Sequence, residues 1–356
     1  MKPTTPVMIL SGYMGSGKSS VIRQILTRET GTDFAIIQHE PGFETLIEKI
    51  DQKRKIKRKL VQSLHVTQTY SNKDLLVAVD THTKEADYII VELNGTSAPF
   101  KIAELLNENY IVDAIINVVD AKHFWLDFTS DSLLVDHQAE EQAVMVTNRL
   151  TEQIEYSNVL VLNQCNGLSE ERLQELEWFL GKLQPHAKVV RTSYGLIGPT
   201  ELLHTGLFDA KDMRGAVGWM TEILQKRRPL QLVGRYGIGS FVYEKQIPFD
   251  SDLFYQWIEE LPQEILRTKG VVWLEGEEHP LVLSQSGPSI CIDEGQEGEV
   301  ALFFQVQKDR FTSIIPIKTE LVFIGIDLNR EEIIQALDSC LVLPVGSPRC
   351  DLVDRI

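Results

Sequence analysis

No apolar run in this chain approaches the ~20 residues that a helix needs to cross a bilayer, so no membrane span is expected. The opening Met1-Lys2-Pro3-Thr4-Thr5-Pro6 has neither the apolar stretch nor the cleavage site of a secretory leader, and none is expected. Cysteine is scarce. Cys165, Cys291, Cys340 and Cys350 form no Cys-x-x-Cys pair, which argues against a zinc ribbon or a thioredoxin-like redox site. Reduced thiols in a cytoplasmic protein are the expectation. Positive charge is in deficit: the formal net charge is -16 and the pI about 5.0. A nucleic-acid face needs the opposite sign, so nucleic acid is not expected as a partner. There is no internal repeat, no low-complexity tract and no histidine-rich tract.

What is present fits two soluble domains. The 356 residues exceed one typical domain. Apolar runs at 7–11, 34–37, 87–92, 114–119, 159–162 and 188–191 read as strands. Helical spacing separates most of them. It is plain at 20–27 and at 170–183, where Ser169 is a ready N-cap and Pro185 lies just beyond the end. Alternating strands and helices imply an α/β fold with a mostly parallel sheet covered on both faces. The pattern weakens around 211–232, and Lys226-Arg227-Arg228-Pro229 reads as linker. Strands are then expected at 240–243, 270–274, 281–284, 301–305 and 321–325, with helices at 250–260 and 330–341. The division is therefore 1–215, a linker at 216–234, a smaller α+β domain at 235–345 and a tail at 346–356.

Polar residues gather just after the first-domain strands: Lys18, Glu40, Glu92, Asp120 and Asn163. Open parallel sheets bind ligands at that carboxyl edge. The first strand runs into Gly12-Tyr13-Met14-Gly15-Ser16-Gly17-Lys18-Ser19 and then a helix. That spacing wraps anionic oxygens with backbone N–H groups. Gly12, Gly15 and Gly17 allow the close approach, and Lys18 is placed for the β- and γ-phosphates. Ser19 is placed for Mg²⁺, and Ser16 and Ser20 flank the cradle at the helix N-terminus. Glu92-Leu93-Asn94-Gly95 ends another strand. Glu92 suits the Mg²⁺ shell, directly or through water, or the attacking water. Gly95 suits a γ-phosphate sensor.

These segments resemble the CobW-like family of P-loop GTPases, the metal-handling class related to nickel-insertion GTPases. In the first domain the likeness also rests on Val118-Val119-Asp120-Ala121, Thr151-Glu152-Gln153-Ile154, Arg191-Thr192-Ser193 and Leu202-Leu203-His204-Thr205-Gly206-Leu207-Phe208. In the second it rests on Leu266-Arg267-Thr268-Lys269-Gly270-Val271-Val272-Trp273-Leu274 and Glu320-Leu321-Val322-Phe323-Ile324-Gly325-Ile326-Asp327-Leu328. The resemblance implies a P-loop domain with a CobW-like C-terminal domain and slow GTP hydrolysis. It also implies metal delivery or cofactor assembly, with a client metalloprotein or a regulatory protein as partner. Oligomeric state is left open.

Two motifs depart from the family. Its guanine-reading Asn-Lys-x-Asp stands here as Asn163-Gln164-Cys165-Asn166. Asn166 offers one acceptor and one donor to a base edge carrying two donors. An unmade buried hydrogen bond costs ~1–3 kcal/mol, so weaker GTP selectivity is expected, with xanthine or adenine nucleotides admitted. The family's Cys-x-Cys-Cys is Val66-Thr67-Gln68-Thr69, so no thiolate is available for zinc or another soft metal. The family's switch glutamate is kept as Glu40, in His39-Glu40-Pro41-Gly42. His39, Glu40 and His65 offer one replacement metal site; two exposed loop histidines are the preferred reading. The basic run 53–59 reads as a solvated face before it reads as a docking surface. A nucleotide-gated scaffold without metal transfer or most turnover is the alternative to the enzyme.

Overall fold

A computed structural model describes residues 5–29, 31–38, 59–63, 72–84, 86–134, 144–224, 235–277, 279–293 and 318–342. The chain divides into two compact units. One is Met1–Leu224 with Ser286–Ser289, the other Gln225–Gln285 with Ile290–Ile356.

The first unit is built on a seven-stranded sheet. Its strands are β1 (Pro6–Ser11), β2 (Phe34–Gln38), β3 (Lys59–Ser63), β4 (Tyr88–Glu92), β5 (Ile111–Asp120), β8 (Val159–Asn163) and β9 (Lys188–Arg191). The remaining pieces, β6 (Leu133–Leu134) and β7 (Val144–Met145), pair with each other. The order β3-β2-β4-β1-β5-β8-β9 is parallel throughout, as the strand–helix alternation implied. The helices are α1 (Lys18–Arg28), α2 (Asn72–His82), α3 (Pro99–Asn107), α4 (Phe124–Phe128), α5 (Val146–Glu155), α6 (Glu170–Leu183), α7 (Ala210–Ala216) and α8 (Gly218–Leu224).

Alternation along β1 explains the two cores. Met8 and Leu10 pack with Val21, Ile22, Ile25 and Leu26 of α1 on one face. Val7 and Ile9 pack with Leu75 and Val79 of α2 and Ala103 and Leu106 of α3 on the other. Each such side chain taken from water stabilises the fold by ~1.5–3 kcal/mol. A strand buried on both faces therefore reads as an unbroken apolar run. Ser169 caps α6, its side chain accepting from the Arg172 N–H.

One sequence expectation falls mostly outside the described residues, and another meets a different outcome in this unit. The run 53–59 falls outside the described residues up to 58, and Lys59 opens the edge strand β3, pairing in register with Phe34. The stretch expected as linker from 216 holds α8, with Val217, Trp219 and Met220 buried. Gly218 lies so close to α6 that an added Cβ would fall 1.7 Å from the Lys182 carbonyl oxygen. Tight helix contact, which periodicity does not report, makes this segment part of the first unit.

The second unit holds a five-stranded sheet in the order β10-β14-β11-β12-β13. Its elements are β10 (Ile238–Lys245), α9 (Ser251–Glu259), β11 (Ile265–Val272), β12 (Leu281–Ser286), β13 (Ser289–Asp293), β14 (Thr319–Ile326) and α10 (Arg330–Ser339). The β14 strand runs antiparallel to both β10 and β11. Phe241, Tyr243, Phe249, Phe254, Phe323 and Leu337 form its core. Asp250 and Asn329 cap α9 and α10 through their side chains, each worth ~1 kcal/mol. The strand expected at 301–305 and the tail at 346–356 lie outside the described residues. Among the described residues no helix is long and apolar enough to cross a membrane.

Candidate functional site

The chain leaves β1 and enters α1 through a loop whose glycines take conformations closed to other residues. Gly12, Gly15 and Gly17 have φ of 142°, 77° and 101°. A Cβ on Gly12 would sit 2.4 Å from the Val118 carbonyl oxygen, and one on Gly17 would sit 2.2 Å from Asn163 Nδ2. The loop is thus wedged between β5 and β8. The α1 helix begins with no side-chain cap and no acidic residue in its first turn. The positive end of its dipole therefore meets no acidic side chain from its own first turn.

Lys18 is buried, and its ammonium donates to the carbonyls of Gly12 at 2.7 Å and Tyr13 at 3.3 Å. The charge is thereby folded back over the cradle. Ser19 Oγ donates to Glu92 Oε1 at 3.0 Å. The parallel register sets Glu92 beside Leu10 on β1 and Gln38 on β2, at the carboxyl edge of the sheet. Gln38 Nε2 donates to the other oxygen, Glu92 Oε2. Ser19 from the start of α1 and Gln38 from β2 therefore meet around the Glu92 carboxylate of β4. Nothing in the sequence marks Gln38 beyond its place just after the apolar run 34–37; its register with Glu92 comes from the fold.

Gly95 also lies against the loop, since a Cβ there would come within 2.7 Å of the Met14 backbone nitrogen. Asn94 Oδ1 accepts from the Thr96 N–H at 3.2 Å and from the Thr96 hydroxyl at 3.1 Å, which shapes the turn.

At the other end of the edge, Asn163 is buried and bonded to the protein through both ends of its amide. Its Nδ2 donates to the Ser16 carbonyl at 2.9 Å, and its Oδ1 accepts from the Gly195 N–H at 3.1 Å. It ties the phosphate loop to the segment after β9. Gln164 stands at φ 59° and donates from Nε2 to Asp120 Oδ2 at 2.7 Å. Asp120 also accepts from the backbone N–H groups of Lys122 and His123 at 2.9 and 3.1 Å. Asn166 is exposed, and its Nδ2 donates to the Tyr194 hydroxyl at a long 3.4 Å. Cys165 is half-buried; burial pushes its thiol pKa up, and its S–H donates to the Leu162 carbonyl.

The structure thus brings Gly12, Gly15, Ser16, Gly17, Lys18, Ser19, Glu92, Gly95 and Asn163 together, with Ser20 just inside α1. Asn166 lies at the rim. His39, Glu40 and His65 lie outside the described residues. Among the described residues no group of three or more His, Cys, Asp or Glu side chains is arranged to hold a metal ion.

A glycine loop between the first strand and first helix of a parallel sheet, closed by a buried lysine, defines a P-loop nucleotide-binding domain. Comparison with known proteins fixes the family. Residues 6–191 match the CobW/HypB/UreG nucleotide-binding domain, and residues 238–341 match the cobalamin synthesis protein cobW C-terminal domain. The chain belongs to this family.

Two relatives give its range. The zinc-regulated GTPase metalloprotein activator 1 of Dictyostelium discoideum is 30% identical over 300 residues, covering 76% of this chain and 63% of that protein. The chain therefore spans less than two thirds of that relative. The zinc chaperone YjiA of Escherichia coli (strain K12) is 25% identical over 348 residues, covering 92% of this chain and 96% of that one. The crystal structure of Zn(II)-bound YjiA GTPase from E. coli aligns over 96% of this chain and 100% of that one, at 20% identity and a TM-score of 0.45.

Proposed function

We propose that the first unit binds and slowly hydrolyses a nucleoside triphosphate with Mg²⁺, GTP foremost, and that turnover serves metal homeostasis. The observation that carries this is the meeting of Ser19 and Glu92 at 3.0 Å beside a glycine loop closed by buried Lys18. Ser19 and Glu92 form an oxygen donor set, which fits a hard cation such as Mg²⁺ that keeps most of its waters. When bound, the cation would neutralise charge on the β- and γ-oxygens.

The chain's own residues supply the rest. Lys18 would exchange its two carbonyl acceptors for phosphate oxygens, a stronger charge-assisted pair. The loop amides and the α1 N-terminus would hold the remaining oxygens. Glu92, held by Ser19 and Gln38, would orient the metal shell or the attacking water. Gly95 would donate its amide at the γ-phosphate. Catalysis here is positioning and electrostatics, which supports slow turnover without a partner.

The zinc association of the two relatives supports a metal-delivery role with a client metalloprotein. Missing thiolates at 66–69 mean that its ligands would be nitrogen and oxygen, with His39, Glu40 and His65 as candidates. A nucleotide-gated scaffold remains the second reading, favoured by the single long hydrogen bond of Asn166 among the described residues.

The deciding experiment is calorimetric titration of GTP with Mg²⁺ into the full chain and its Lys18→Ala variant, with phosphate release measured alongside. The variant is expected to lose at least a hundredfold in affinity and all measurable turnover. Undiminished binding and hydrolysis would refute the proposal. Tight binding by the unaltered chain without turnover, with and without zinc, would select the scaffold.

A further inference from the structure

We propose that Gln153 is a positioning residue that makes the site prefer a triphosphate to a diphosphate. The inference rests on reading the first unit as a phosphate site, and it concerns a residue that touches no phosphate.

Gln153 lies in α5 and is 0% exposed. A buried primary amide is costly unless its donors are met. Here both are met by backbone. Nε2 donates to the Gly95 carbonyl at 3.0 Å and to the Ser97 carbonyl at 3.1 Å. Two carbonyl acceptors on one side fix which end of the amide is nitrogen. The amide oxygen has no partner among the described residues. The side chain is thus committed to one stretch of the loop after β4.

That stretch is held from the other side as well. The Gly95–Thr96 peptide offers its C=O to Gln153 and its N–H to Asn94 Oδ1 at 3.2 Å. A peptide plane gripped at both polar atoms cannot rotate without breaking one bond. Upstream, Glu92 is anchored by Ser19 and Gln38. The segment from Glu92 to Ser97 is therefore fixed at its start, middle and end, with Gly95 pressed against the Met14 backbone nitrogen.

The consequence separates the phosphates. A diphosphate would occupy the cradle of residues 12–19, to which Gln153 makes no hydrogen bond. On the role proposed above for Gly95, the third phosphate is the one that would extend to it. Releasing the Gly95–Thr96 peptide should therefore weaken triphosphate binding and leave diphosphate binding nearly unchanged. A residue that merely packed the core would weaken both alike.

The test is Gln153→Met, which keeps length and burial and removes both donors. Affinities for a non-hydrolysable β,γ-imido GTP analogue and for GDP are measured on the full chain with Mg²⁺. The analogue is expected to lose about tenfold and GDP no more than about twofold. Equal losses, or no loss, overturn the proposal. Should Gln153→Met fail to fold, Asn94→Ala opens the same peptide from its N–H side. The same imbalance is expected there, smaller in size, and an unchanged ratio again overturns it. If the unaltered chain binds neither nucleotide, the phosphate-site reading falls and takes this inference with it. If it binds both and the ratio stays fixed in the variants, only this inference falls.

Discussion

The two ends of one sheet edge are built by different means, and under the function proposed above they would recognise a ligand differently. At the proposed phosphate end the recognising groups would be backbone amides, and the sequence need only supply glycine at the right spacing. At the proposed base end they would be side chains, where a change of one atom type alters the outcome. The phosphate end of this chain is tightly determined: Gly12 and Gly17 each lie closer to a neighbour than a Cβ could tolerate. The base end is loose. Asn163 is engaged with the loops, Gln164 is drawn to Asp120, and Asn166 reaches only Tyr194 at 3.4 Å. Under the proposed function, such a fold would hold a polyphosphate tightly whichever base it carried.

The hardest blow to this contrast falls on the tight end. Gly17→Ala places a Cβ 2.2 Å from Asn163 Nδ2 at a residue whose φ is 101°. The strain alone costs on the order of 1–3 kcal/mol, and relief of the clash must move Asn163 or the loop. Nucleotide affinity is expected to drop by about a hundredfold for every base tested, because the damage precedes base reading. A loss confined to guanine nucleotides would show that the two ends are not separable.

The loose end should respond to base identity instead. Asn166→Asp supplies two acceptors where the native side chain has one acceptor and one donor. Guanine presents two donors at that edge, and xanthine presents one donor and one acceptor. The ratio of GTP to XTP affinity is expected to rise about tenfold to a hundredfold in the variant, with total phosphate affinity little changed. Competition among GTP, XTP, ITP and ATP measures it. An unmoved ratio would remove Asn166 from base recognition.

The same contrast explains what could be read from the amino acids. The clustering of the glycine loop, Glu92 and Gly95 at one sheet edge was legible because spacing and strand ends carry the signal. The parallel sheet was legible from apolar runs buried on both faces. Gln38 and Gln153 were not assigned roles at the site from the sequence, because a glutamine's partner is chosen by tertiary structure. Gln38 matters through its register with Glu92 on β4, and Gln153 through a helix 58 positions from Gly95. The α8 helix was missed for a related reason. Its seven residues are too short to show a period, and it is fixed by Gly218 lying against the Lys182 carbonyl. The edge strand β3 was obscured by the charged run before it.

The smallest expected effect lies inside the base loop itself. Cys165 is half-buried between Asn163 and Asn166, and burial is the largest influence raising its thiol pKa. A raised pKa lowers the thiolate fraction at a given pH, and the thiolate is the species that alkylates. Cys291 is exposed on β13. With iodoacetamide near pH 8, Cys165 is expected to react several-fold more slowly than Cys291, and peptide mass spectrometry over time distinguishes them. Raising the pH should accelerate Cys165, because its thiol then ionises. A saturating nucleotide should slow Cys165 further if the base rests over this loop, and leave Cys291 unchanged. If nucleotide leaves both rates alone while calorimetry shows binding, the base lies elsewhere, and the loose end of the sheet edge is not a base site at all.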